Sequence, residues 1–176
     1  MEVALKKIQV PVKENCKVEA GDMVLLSGTV YCGRDTVLPR IAERAKANQL
    51  EADGINLSGG VIFHTAVSDA GIAPTTTSKP EIENSMVPLC EAGVKFHLGK
   101  GRISAETIEG LKRTGGVFLV SPPTAALLTA CMISRKVAAY PEEGIEAFYE
   151  IIVQDLPAIV AVANGETIFP DHGGQA

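Results

Sequence analysis

The stretch MVLLSGTVYCGRDTVLPRIAERAKANQ, residues 23–49, holds two different periodicities in one run. Its first part, MVLLSGTV (23–30), is a short apolar run that reads as a buried strand ending near Gly28. Its second part, TVLPRIAERAKANQ (36–49), sets Ile41, Ala42 and Ala45 on one side and Arg40, Glu43, Arg44 and Lys46 elsewhere, the pattern of an amphipathic helix. Asp35 is placed to cap that helix. A strand that feeds a helix through a short loop is the repeating unit of an α/β sheet.

The same alternation continues downstream. GGVIFHTA (59–66), VKFHL (94–98) and VFLV (117–120) read as strands. SKPEIENSMVPLCEAG (78–93) reads as a helix with Ser78 as its cap, Pro80 in its first turn and Gly93 as its stop, and Pro88 is expected to bend or split it. Ser104 is expected to cap AETIEGLKRT (105–114), and Gly115 and Gly116 to end it. AALLTACMI (125–133) is nearly all apolar and reads as a buried helix. KVAAY (136–140), YEIIVQD (149–155) and AIVAVAN (158–164) read as further strands, and Asn164-Gly165 signals a hairpin back through ETIF. With no repeat and no long linker, one three-layer α/β domain with a mixed sheet is expected over 1–169, followed by a disordered tail at 170–176.

Composition narrows the function. The chain has 176 residues, 46% apolar and 21% charged, within the ordinary globular range. A net charge of −5 argues against a nucleic-acid partner, which needs a basic face. No apolar run is long enough to span a membrane, and MEVALKKIQVPVKEN lacks an export signal, so a cytoplasmic location is expected. Cys16, Cys32, Cys90 and Cys131 form no CxxC pair and stand at no metal-ligand spacing from a histidine, so no metal bound by this chain alone is expected. Cys90 and Cys131 read as buried thiols in helical contexts. The glycine patterns of dinucleotide-binding, P-loop and α/β-hydrolase sites are missing from the sequence.

Three loops share a character. GTVYCGRD (28–35), APTTTSKPE (73–81) and LGKGR (98–102) each follow a strand, are rich in glycine or proline, and carry a cation: Arg34, Lys79 and Lys100. Ligands of α/β sheets bind at loops leaving the carboxyl ends of strands, and helix amino ends attract anions. A shared space among the three cations would suit a small di- or tricarboxylate. Each cation also has a plain structural reading, Arg34 as an ion-pair partner and Lys79 as a solvated lysine. His64 and His97 read as packed histidines, not catalysts.

The segments GDMVLLSGTVYCGRDTVLPR (21–40), GIAPTTTSKPE (71–81), GKGR (99–102), GGVFLVSPPTAALL (115–128) and IIVQDLPAIVAV (151–162), in that order, resemble the C-terminal domain of the class I fumarases. In archaea and many bacteria that domain is a separate β subunit, and L(+)-tartrate dehydratase shares it. The resemblance implies a swivelling β/β/α fold and reversible dehydration of (S)-malate to fumarate, a tricarboxylic acid cycle reaction. It also implies a four-iron, four-sulfur cluster bound by a partner α subunit and not by this chain. The expected assembly is a hetero-oligomer with that α subunit, or in addition a homodimer of β chains. Carried over residue by residue, the family's carboxylate-binding arginine and lysine fall on Arg34 and Lys100, a second arginine falls on Lys79, and the proposed threonine base falls on Thr75. A register shifted by one makes Thr76 the base instead. Lysine at 79 cannot make the two-pronged contact of an arginine, and Leu38 stands where the family has a histidine. Tartrate dehydration, and a carboxylate-binding module without catalysis, stand as the alternatives.

Overall fold

Strand alternation decides which side chains of this protein meet in its core. In the computed structural model, residues 5–13, 15–73 and 80–170 are described. In chain order the elements are β1 (Leu5–Val10), β2 (Met23–Cys32), α1 (Leu38–Lys46), β3 (Val61–Phe63), β4 (Val67–Ser68), β5 (Gly71–Ile72), α2 (Pro80–Glu91), β6 (Phe96–Gly99), α3 (Ala105–Thr114), β7 (Val117–Val120), α4 (Ala125–Ala130), β8 (Met132–Ala139), β9 (Phe148–Ala163) and β10 (Glu166–Thr167). Short 3-10 turns occupy Glu51–Asp53 and Pro141–Glu146.

Eight strands form one mixed sheet, with β4 and β5 as a separate hairpin. β1, β2, β3, β6 and β7 are linked by parallel pairings, whereas β9 runs antiparallel to β2, β7, β8 and β10. Because β9 joins β7 back to β2, the ring β2–β3–β6–β7–β9 closes on itself. Inward-facing Val24, Leu26, Val61, Phe63, Phe96, Leu98, Leu119, Val153 and Val160 belong to one buried cluster inside that ring. The alternate residues Tyr31, Ile62 and Phe148 meet α1 and α2 outside it, and Phe118, Ala161 and Val162 meet α2 and α3. The outcome is the expected mixed α/β architecture, in which two β layers are opposite walls of one curled sheet and the helices form the third layer.

Several expectations are corrected. β2 runs four residues beyond Gly28, to Cys32. Gly28 adopts φ 123° at a register shift between β2 and β9, and a Cβ there would lie 2.0 Å from the Val10 carbonyl oxygen, so glycine permits the strand to continue past β1 instead of ending it. Asp35 caps nothing: the α1 amides of Val37 and Leu38 donate to the Arg34 carbonyl at 3.1 and 2.9 Å, and Val37 occupies the N-cap without a side-chain bond. The predicted strands 149–155 and 158–164 merge into one sixteen-residue strand, Phe148–Ala163, because β2 pairs with it on both sides of Pro157.

The run 125–133 divides into the six-residue α4 and the start of β8, and only Leu128 of α4 is buried. Cys131 is accordingly half-buried, whereas Cys90 is buried against Gly116 as expected. Pro88 stands inside α2 without dividing it, since the residue that loses a donor, Asn84, is exposed to water. Ser104 caps α3 as expected, accepting from Thr107 N at 3.2 Å. Glu83 of α2 accepts from Ser104 N and Thr107 Oγ1 at 3.0 and 2.7 Å and fixes the two helices together. The Asn164-Gly165 turn has positive φ at both residues, as a tight hairpin requires. No described helix is long and apolar enough to cross a membrane.

Candidate functional site

Parallel pairing brings the carboxyl ends of four strands to one edge. Cys32 pairs with Phe63, Phe63 with Leu98 and Leu98 with Leu119, so the residues next beyond the strands follow the same row. The ladder continues past the strand ends: Gly33 N donates to Phe63 O, His64 N to Leu98 O and Ser121 N to Gly99 O at 3.1, 2.8 and 3.2 Å. Arg34, Thr65, Lys100 and Ser121 are thereby set side by side along this edge, with β2 and β6 two strand spacings apart, about 10 Å. Because β9 is antiparallel, its start and the turn Pro141–Glu146 before it come to the same edge.

Of the expected site residues, Arg34 and Lys100 are thus brought together. Lys100 is half-buried and follows the last residue of β6. Arg34 is also half-buried, and its Nη1 lies 3.5 Å from Glu146 Oε1. Thr36 Oγ1 donates to the other Glu146 oxygen at 3.0 Å. The ion-pair reading of Arg34 therefore holds, with Glu146 as the partner of Nη1. Its Nε is buried and has no hydrogen-bond partner.

Thr75, Thr76 and Lys79 lie outside the described residues, as does Ser78. The anchors on either side of them are fixed at this edge. Thr65 Oγ1 donates to Ala73 O at 2.8 Å, Ala73 N donates to Ala66 O at 3.0 Å, and α2 opens at Pro80. The β4–β5 hairpin that leads there is held by Thr129 Oγ1 of α4, which accepts from Ile72 N at 3.1 Å, and by Arg135 of β8, which donates to Ser68 O and Asp69.

His64 and His97 are buried and packed, as their sequence context implied. His97 Nε2 lies 3.1 Å from the Met86 carbonyl, which can only accept, so that nitrogen carries the proton. His97 Nδ1 then accepts from His64 Nε2 at 3.0 Å, which leaves His64 Nδ1 a bare lone pair without a partner. Burial drives the His97 pKa down to about 4, with the Met86 carbonyl opposing. Burial first, and His97 second, hold His64 well below the ordinary imidazole range, so both rings are neutral at pH 7.

Buried polar atoms almost always find partners, and each exception calls for an account. Among the described residues the exceptions are Arg34 Nε, His64 Nδ1 and Ser121 Oγ, all at the carboxyl ends of the parallel strands. A hollow of about 810 Å3 lies elsewhere, among residues that precede β3 and those at the carboxyl ends of α1 and α2. Its charged lining is Lys46 with Glu51 and Glu91, a balance that does not suit a dianion. Unmet hydrogen-bond capacity and this hollow therefore point to different ends of the sheet. Ser121 and Thr65 carry no signal of their own in the sequence: Ser121 follows β7, and Thr65 falls inside the predicted strand 59–66, which in the structure ends at Phe63. Glu146 and Thr36 had no local signal at all.

The cysteines do not fit a metal cluster. Cys32, Cys16 and Cys131 belong to or pack on the inner core, while Cys90 lies outside the ring under α2. Burial raises the Cys32 thiol far above its usual range and the Cys90 thiol to about 12, which favours inert thiols. Among the described residues, no three His, Cys, Asp or Glu side chains converge.

These features define an α/β domain that presents cations and unsatisfied donors along one edge of a curled mixed sheet. The chain belongs to the Fumarase C-terminus family, whose model matches residues 1–172. It is 29% identical over 174 residues to a chain of Methanocaldococcus jannaschii with the provisional name L(+)-tartrate dehydratase subunit beta, covering 90% of this chain and 87% of that one. It is 26% identical over 144 residues to the aerobic class I fumarate hydratase of Escherichia coli K12, covering 78% of this chain and 26% of that protein. The L(+)-tartrate dehydratase subunit beta of the same bacterium is 27% identical over 128 residues, covering 67% of this chain and 60% of the other. The chain thus spans about a quarter of the fumarate hydratase and most of the archaeal subunit.

Proposed function

We propose that this chain is the β subunit of a heteromeric iron–sulfur hydro-lyase that interconverts (S)-malate and fumarate in the cytoplasm, over a single domain spanning 1–169. The observation that carries the reading is the edge where Arg34 and Lys100 collect with two unpartnered buried donors, Arg34 Nε and Ser121 Oγ. A four-carbon dicarboxylate needs two cationic ends, and Arg34 and Lys100 stand on different strands of that edge. Lys79 would supply a third cation and Thr75 the base that takes a proton from carbon, with Thr76 the candidate of the shifted register.

A threonine hydroxyl is a weak base and needs a neighbour to activate it, for which a carboxylate of the α subunit is the natural source. The cysteines of this chain do not fit the cluster, so the α subunit would hold it, and its open iron would act as a Lewis acid on the substrate. The role of this chain is to grip the carboxylates, orient the reacting carbon and exclude water. L-tartrate is the second substrate to weigh, because the match to the archaeal tartrate dehydratase subunit is nearly end to end.

The test is anaerobic co-expression with a cluster-bearing α subunit, followed by turnover assays on malate and L-tartrate. Malate turnover is expected, and Thr75→Ala should lower it about 10²- to 10⁴-fold while the complex still assembles. Turnover of tartrate alone would replace the substrate. Full activity of the variant would remove Thr75 and pass the role to Thr76. A complex that binds dicarboxylates without any turnover would leave a binding module.

A further inference from the structure

The inference concerns how Arg34 is aimed, and it rests on reading Arg34 as a carboxylate-binding cation. A guanidinium has two edges able to grip a carboxylate with two parallel bonds, and the side-on edge is formed by Nε and Nη2. In this protein Nη1 is the nitrogen nearest Glu146, at 3.5 Å, while Nε on the opposite edge is buried and unpartnered. Glu146 is itself fixed, since Thr36 Oγ1 donates to its second oxygen at 3.0 Å.

The turn that carries Glu146 is pinned at several points. Arg40 of α1 donates to Glu143 and Glu142 at 2.8 and 3.2 Å and lies 3.7 Å over the Tyr140 ring. Just beyond the turn, Phe148 stacks on Tyr31 with ring centroids 5.2 Å apart. The carboxylate therefore cannot easily follow the arginine if the arginine moves.

We infer that Glu146 is the positioning residue of Arg34: it holds Nη1, with Thr36 steadying it, so that the Nε–Nη2 edge faces the carboxylate of the ligand. The other role open to a carboxylate beside a binding arginine is that of a stand-in which the ligand must displace. A stand-in would occupy the two-pronged edge. Glu146 instead makes a single long contact at one nitrogen and leaves Nε unused.

Charge and aim are separable by substitution. Gln at 146 keeps an oxygen that can accept from Nη1 but removes the negative charge, whereas Ala removes both. The test uses the assembled complex for KM and kcat, and the full chain alone titrated with succinate, read on the Arg34 Nε–H resonance, which Arg34→Lys identifies. Glu146→Ala is expected to raise KM and the succinate Kd about tenfold with kcat within about twofold. Glu146→Gln is expected to stay within about threefold of the parent, and Thr36→Val to fall between them. Tighter binding in both the Ala and Gln variants would make Glu146 a stand-in and overturn the inference. Unchanged binding in the Ala variant would overturn it too, as would a parent chain whose Nε–H resonance ignores succinate. A complex that turns over neither malate nor tartrate would sink the hydro-lyase reading alone, because the succinate titration judges Glu146 independently.

Discussion

At the amino ends of the parallel strands the backbone closes its own accounts. Gly59 N donates to Gly93 O, Lys95 N and Phe96 N share Gly60 O, and Val117 N donates to Lys95 O, all within 2.8–3.1 Å. At the carboxyl ends the ladder closes equally well, yet Arg34 Nε, His64 Nδ1 and Ser121 Oγ are buried without partners. The amino end has a hollow of about 810 Å3, and the carboxyl end has the unmet polar capacity among the described residues. Folding alone gives no reason to bury a polar atom and leave it unmatched, because that costs about 1–3 kcal/mol each. The contrast teaches that unfinished polar groups and open space mark different ends of this sheet, and the proposed substrate site is argued from the first.

The strongest attempt to break this comparison is Arg34→Ala. In the assembled complex kcat/KM is expected to fall about 10²-fold or more, because a charge-assisted contact and its orientation are lost together. An Arg34→Ala complex of parental activity would remove the carboxyl edge from consideration as the substrate site.

The buried histidine pair gives the next effect. His97 titrates near 4 in the fold against about 6.5 when unfolded, so below about pH 6.5 the unfolded chain binds the proton that the fold refuses. The stability this contributes is complete above about pH 6.5 and is lost progressively as pH falls to about 4, on the order of 3 kcal/mol in all. Denaturant melts of the full chain across this range should slope more steeply for the parent than for His97→Met. Equal slopes would mean that the pair is already solvated in the fold.

The smallest effect belongs to the opposite end. Lys46→Ala and Glu91→Ala, both on the rim of the 810 Å3 hollow, should each change stability by less than about 0.5 kcal/mol and turnover by less than about twofold. A loss of turnover comparable with that of Arg34→Ala would show that the hollow, and not the strand edge, handles the substrate.

Much of the frame was legible because its signals are local. The apolar cores of β2, β6 and β7, the Ser104 cap and the Asn164-Gly165 turn each declare themselves within a few residues. β1 went unrecognised because Lys6, Lys7 and Gln9 dilute its apolar face, and only Ile8 and Val10 are buried. The continuity of β9 was hidden by Asp155, at φ 52°, and by Pro157, which look like breakers until β2 is seen to pair across them. For the candidate site, Arg34 and Lys100 could be singled out because each follows a strand. Their convergence depends on parallel pairing, and the Arg34–Glu146 contact joins residues that share no segment of sequence. Thr36, only two residues from Arg34, becomes meaningful once Glu146 is known to lie between them.

Strand β9 follows in the chain every strand that it seals. During synthesis, β2, β3, β6 and β7 leave the ribosome before the seam that joins β7 to β2 has been made, with their inner faces exposed at an open gap. The ring can shut only once Tyr149–Ala163 has emerged to pair along both sides at once. A nascent chain stalled before that stretch emerges should remain open to protease however long it waits, and release of β9 should close the ring in one step.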